Sequence, residues 1–265
     1  MSTDEARPPA GGMPAGEEAG KEARVMRVLT LLDASRHSLA ALAAAVDLAE
    51  ERRADLVALF VEDQDLLGSA GFPFAHEIGA VSGRVRRLSR HDLEAGLASQ
   101  ARRVTEALDA AVAGRDLRHE LRVSRGRVTS EALALAGPGD VLLLGKAGFS
   151  EHWGVRLGAT SRALVLEAPC TVIIWDERLP LARGPLRTLD EPASESCDLT
   201  AIPEVLTRLF DGGEVLQARD ARQLEQQLSR ATSGALLLHR SRLAQLADED
   251  PDILARLPIP VIVVP

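Results

Sequence analysis

Three glycines and two hydroxyl residues carry the most chemical information in this chain. Gly145, Gly148 and Gly158 form a G-x-x-G-(nine residues)-G pattern, and Thr160 and Ser161 follow the last of them. A short, wholly apolar run, residues 141–144 (VLLL), stands before the pattern, and a second, residues 171–175 (TVIIW), comes after it. Such runs mark strands buried on both faces. A buried strand feeding a glycine loop feeding a helix start is a phosphate site in outline. Glycine lets the backbone approach an anion closely, and the unpaired N–H groups of a helix start point at it with the positive end of the dipole. Lys146, one of two lysines in the chain, lies inside the loop, where an ammonium could pair with a phosphate. The spacing is not that of a P-loop, which needs Gly-Lys-Ser/Thr at the helix start. It is not the Rossmann fingerprint either, whose glycines are closer together and follow the first strand. The other reading of the same glycines is that they only shape a loop and a cap.

No catalytic or metal constellation accompanies the pattern. His37, His76, His91, His119, His152 and His239 are scattered without metal-ligand spacing. No general base or metal-binding carboxylate stands beside the loop. His152 and Trp153 fall within it and are assigned no chemistry.

The elements that must hold this loop follow from periodicity. Residues 24–32 (RVMRVLTLL) read as a first strand ending at Asp33-Ala34-Ser35, a group suited to a turn and a helix cap. Residues 38–53 carry Leu39, Leu42, Ala43, Val46 and Ala49 on one helical stripe, and residues 55–61 form a second strand. Residues 62–83, with five glycines or prolines around Phe72 and Phe74, are expected to be irregular and able to lie over a ligand. A long helix over 85–112, a strand at 117–123 and a short helix over 127–136 complete the approach to the loop. A helix over 160–167 and the strand at 171–175 follow it. Alternating strands and helices predict a parallel sheet, because a parallel pair needs a right-handed crossover. Ligands in such sheets bind beyond the carboxyl ends of the strands, where Asp33 and Gly145 both lie.

The remaining third of the chain is a shorter echo. Residues 214–217 are similar to the third strand, 235–238 (ALLL) to 141–144, and 257–264 to 167–174. A helix is expected over 221–231. This repetition points to duplication with the glycine loop lost, His239-Arg240-Ser241-Arg242 standing in its place. The expected organisation is a disordered leader (1–23), a loop-bearing domain (24–178), a linker (179–198) in which 186–189 could form a short strand, and a reduced domain (199–265).

Composition bounds the rest. The chain has 265 residues, 46% hydrophobic and 26% charged, as in an ordinary soluble protein. Its net charge of −8 argues against a general nucleic-acid binder. No apolar run approaches the ~20 residues needed to cross a bilayer. No signal peptide is visible, and Cys170 and Cys197 suggest neither a disulfide framework nor a metal site. A cytoplasmic location is the expectation.

The glycine pattern resembles the nucleotide-binding loop of the universal stress protein family, in the branch that binds ATP. The resemblance covers roughly residues 24–175, and more weakly 184–265, so the whole is similar to a tandem member. It implies an α/β fold: an open, parallel five-stranded sheet with helices on both faces (adenine nucleotide alpha hydrolase-like), followed by a reduced copy. It further implies that Asp33, with Leu31 and Leu32 leading into it, lies near the ribose and adenine, and that Val61 and Leu144 flank the base. Gly145, Gly148, Gly158, Ala159, Thr160 and Ser161 would hold the phosphates, with Lys146 beside them. The ATP-binding branch usually has a serine where this chain has Ala159. One hydroxyl contact is worth about 0.5–1.5 kcal/mol, so its loss weakens binding without abolishing it. The implied function is a stress-response protein that binds ATP, ADP or AMP, with or without Mg²⁺, and acts on a protein partner with little or no turnover. Two alternatives stay open: a nucleotide-free interaction module, and a slow ATPase or adenylating enzyme. Family members pair through the last strand. Here residues 171–175 and 261–264 are expected to face each other across an internal pseudo-two-fold, making an intramolecular pseudo-dimer, with a homodimer still open.

Overall fold

The computed structural model describes residues 26–79, 82–146, 157–175, 184–190 and 210–265. The expected leader, most of the glycine loop with Gly148, and part of the expected linker lie outside the described residues.

The first half runs β1 (Arg27–Leu32), α1 (Arg36–Arg52), β2 (Asp55–Asp63), α2 (Gln64–Ser69), β3 (His76–Ile78), β4 (Val85–Arg87), α3 (Arg90–Val112), β5 (His119–Gly126), α4 (Val128–Leu135), β6 (Val141–Gly145), α5 (Ala159–Glu167) and β7 (Thr171–Trp175). Its main sheet has the order β5-β2-β1-β6-β7, every neighbouring pair parallel. This is the expected five-stranded architecture. The central strands are apolar at nearly every position because helices cover both faces. Residues of α1 and α3 pack on one face, around Val28, Phe60 and Leu143. Residues of α4 and α5 pack on the other, around Leu29, Val61 and Leu144.

The second half adds β8 (Leu186–Leu189), β9 (Gly213–Leu216), α6 (Ala221–Leu228), β10 (Ala235–His239), α7 (Arg240–Glu249), α8 (Ile253–Arg256) and β11 (Val261–Val264). It continues the same sheet. β11 lies antiparallel to β7, with Val261 opposite Ile174, Ile262 opposite Ile173 and Val263 opposite Val172. The nine strands therefore run β5-β2-β1-β6-β7-β11-β10-β8-β9. The expected juxtaposition of the two last strands is what joins the halves. Residues of α6, α7 and α8 lie on the face of α4 and α5, as a two-fold axis normal to the sheet would place them.

Three expectations need correction. The excursion after β2 is not irregular throughout: it holds α2, capped by Asp63, and a hairpin pairing His76–Ile78 with Val85–Arg87. The long helix consequently begins at Arg90 rather than 85, where the Ser89 hydroxyl accepts from the Asp92 amide. The short strand expected at 186–189 forms as β8, a sheet strand flanked by β10 and β9; its buried Leu186 and Leu189 hold it there. β9 lies beside β8 as β2 lies beside β1, so it takes the place of the second strand and not the third.

At the amino ends of β1 and β6, Arg27 clamps Asp140. Its Nε lies 3.0 Å from one carboxylate oxygen, and a second guanidinium nitrogen reaches the other. The Gly137 amide also donates to Asp140, at 2.7 Å. Among the described residues no helix is long and apolar enough to cross a membrane.

Candidate functional site

The strand order reverses between β1 and β6, since the chain leaves β1 towards β2 on one side and β6 towards β7 on the other. The crevice beyond the carboxyl ends of such strands is where open α/β sheets bind ligands. A cavity of about 490 Å³ occupies it, within the range of small-ligand sites. Nine of the twelve expected residues line it: Leu31, Leu32, Asp33, Val61, Leu144, Gly145, Gly158, Thr160 and Ser161.

The rim at β1 is a tight, self-bonded turn. Ala34 is left-handed, with φ 61°. One oxygen of Asp33 accepts from the Ser35 amide at 2.9 Å. The Ser35 hydroxyl accepts from the Ser38 amide at 3.2 Å. The Ser38 hydroxyl donates to the Ser35 carbonyl at 3.1 Å and accepts from the Asp33 amide at 3.3 Å. These bonds fix the Asp33 carboxylate at the cavity edge.

The floor at β6 requires glycine. A Cβ on Gly145 would sit 2.8 Å from the His37 carbonyl oxygen, because the first turn of α1 packs directly on the end of β6. Across the cavity, Gly158 is the N-cap of α5, which has no side-chain cap and no acidic residue in its first turn. Its first amides, flanked by Thr160 and Ser161, are left for an anion from outside the helix. The middle of the cavity is apolar, walled by Phe60, Val61, Leu66, Leu97 and Leu144. Polar groups at one end and an apolar middle suit a ligand with an anionic tail and a flat, weakly polar body. Among the described residues, no three His, Cys, Asp or Glu side chains group to hold a metal ion.

The sequence pattern of the universal stress protein family matches residues 25–175. The chain belongs to that family. No curated protein sequence matches it. Among solved structures, a universal stress protein from Archaeoglobus fulgidus is 13% identical, with a TM-score of 0.57 over 90% of this chain and 97% of that one. A putative universal stress protein from Pseudomonas aeruginosa is 12% identical, with a TM-score of 0.52 over 91% and 93%. At these identities the likeness is one of fold, and it extends over both halves of the chain.

Within this universal stress fold, two expected residues do not line the cavity and a third is not described. Gly148 lies outside the described residues. Ala159, the first residue of α5, is exposed and does not line the cavity, so its missing hydroxyl leaves no gap in the wall. Lys146 is the substantive correction. It is 4% exposed, and its ammonium donates to the carbonyl of Leu257 in the second half. Its own amide donates to the Trp175 carbonyl at 2.8 Å. Side chains alternate along a strand. Leu142 and Leu144 point to the face of α5 and α7, and Lys146 continues that row, but its ammonium is committed to Leu257 and it does not line the cavity as Leu144 does.

Several lining residues were not anticipated. Ser35 read in sequence only as part of a turn and cap, and Ser38 only as the start of the helix. His37 comes in through the first turn of α1. Asp63 joins because β2 runs two residues past Val61. Leu97 and Gln100, three apart on α3, face the cavity together; that spacing was the one available signal.

Proposed function

We propose that this universal stress protein binds an adenine nucleotide, ATP first among them, in the cavity between β1, β2, β6 and α5, and works as a regulatory or interaction protein. The observation that carries the reading is the convergence of Asp33, Val61, Gly145, Gly158, Thr160 and Ser161, from four separate elements, on one 490 Å³ cavity. The uncapped start of α5 would receive the phosphates, and the apolar middle the base. Any Mg²⁺ would arrive on the triphosphate. Residues 184–265 act in this reading as a reduced second copy. Because both last strands are consumed within one chain, pairing of chains through them is pre-empted, and a protein partner or second chain must use another surface. A cytoplasmic site of action is part of the proposal.

The test is thermal melting of the full chain with and without ATP and Mg²⁺. A ligand at about 100 times its Kd adds ~2.7 kcal/mol, which for a chain this size raises Tm by about 5–10 °C. No shift with ATP, ADP or AMP would leave the nucleotide-free module. Stoichiometric binding with steady release of phosphate would favour the slow ATPase.

A further inference from the structure

The geometry points to Gln100 as the residue that reads the polar edge of the base. This rests on the nucleotide reading above and names a determinant within it. The polar side chains on the strand-end side of the cavity are largely committed to the chain's own turns. Asp33 holds the Ser35 amide, Ser35 holds the Ser38 amide, and Ser38 is bonded twice over. Asp63 holds the amides of Asp65 and Leu66 at the start of α2. Gln100 differs: it lines the cavity half-buried, and its carboxamide has no hydrogen-bond partner among the described residues.

Its position matches the base and not the phosphates. α3 packs on the face of α1, whereas α5 packs on the opposite face. Gln100 and the α5 amides therefore approach the cavity from opposite sides of the sheet. A nucleotide with its phosphates on α5 extends its base towards α3. There Leu97, three residues before Gln100 on α3, and Phe60 line the same cavity and supply an apolar surface for the ring. A carboxamide presents an acceptor and a donor side by side. Adenine presents the complement, its amino group next to a ring nitrogen, and the two fit as a bidentate pair.

Calorimetry of the full chain with ATP, GTP and inorganic tripolyphosphate tests this. Gln100→Leu keeps the bulk and removes both hydrogen bonds. ATP should weaken about tenfold, roughly the sum of two neutral hydrogen bonds, while tripolyphosphate stays within about twofold. Gln100→Glu presents acceptors only, which suits the two adjacent donors of guanine and opposes the adenine ring nitrogen. The ATP-to-GTP affinity ratio should then fall by about tenfold or more. ATP binding unchanged in Gln100→Leu, or tripolyphosphate weakened in parallel with ATP, overturns the assignment while leaving the nucleotide reading intact. No heat from any of the three ligands with the wild-type chain overturns both.

Discussion

Gly145 and Gly158 belong to one sequence pattern, yet the structure assigns them different work, and alanine at each separates the two. At Gly145 the added carbon would stand 2.8 Å from the His37 carbonyl oxygen and 3.0 Å from its carbon. Comfortable contacts between carbon atoms lie at about 3.5–4.0 Å. The obstruction is backbone in the first turn of α1, where the Ser35 and Ser38 bonds hold it, so no rotamer change relieves it. Overpacking of this kind costs about 1–3 kcal/mol, or about 2–10 °C in Tm at this chain length. At Gly158 no heavy atom of the described residues lies within 4 Å of the added carbon, and φ −59° with ψ 152° is open to any residue. Alanine is a poorer N-cap by about 1 kcal/mol, and it stiffens the unfolded chain by about 0.4–1 kcal/mol. The two terms nearly cancel. Gly158→Ala should therefore melt within about 3 °C of wild type. The methyl group would nonetheless stand where a phosphate approaches the α5 amides. Losing one hydrogen bond to a charged group, about 1.5–3 kcal/mol, weakens ATP at least tenfold. Melting curves and calorimetry on both variants give the comparison. Gly158→Ala binding ATP as wild type does, or Gly145→Ala melting with wild type, would refute the reasoning.

Three further outcomes follow from the same contacts. Lys146→Met leaves the Leu257 carbonyl without its donor; Tm should fall, by about 1–3 kcal/mol of stability, while calorimetry shows ATP affinity within about twofold of wild type. Asp140→Ala strands the partly buried Arg27 guanidinium, and urea unfolding should show a loss of about 3–5 kcal/mol. Burial raises the Cys170 thiol from 9.0 to about 11. A thiol whose pKa is raised in the folded state stabilises fully below pH 9, and that contribution disappears between pH 9 and 11 as the unfolded chain ionises first. The chain has no tyrosine to titrate in that window. The unfolding free energy measured in urea should thus fall by up to about 1.4 kcal/mol per pH unit there, and Cys170→Ala should flatten that slope.

What the sequence made legible, and what it hid, divides along the range of the interactions. The parallel core was legible because VLLL, TVIIW and DLVALFV are apolar on both faces, a local property. The meeting of β7 and β11 was anticipated from the resemblance, since family members pair through the last strand and the repeat placed a second last strand in the same chain. The hairpin of β3 and β4 was hidden: Val85 and Leu88 extend the apolar period of α3 backwards, and nothing local says that His76–Ile78 will pair with Val85–Arg87. Lys146 shows the limit most clearly. Adjacency to Gly145 placed it in the anion site, whereas strand alternation already put it in the row of Leu142 and Leu144. That row alone does not exclude the site, because Leu144 belongs to it and lines the cavity. What alternation could not supply was the acceptor, which lies 111 residues further along the chain. Lys146 thus adjoins a cavity-lining glycine while its ammonium is bonded into the second half. Displacement of the end of β6 when the cavity fills would strain that bond, whereas a rigid end would leave it intact. Hydrogen exchange at the α8–β11 junction, with and without ATP, separates these cases: slowed or quickened exchange there means that the second half senses the site, and identical exchange means that it only braces the sheet.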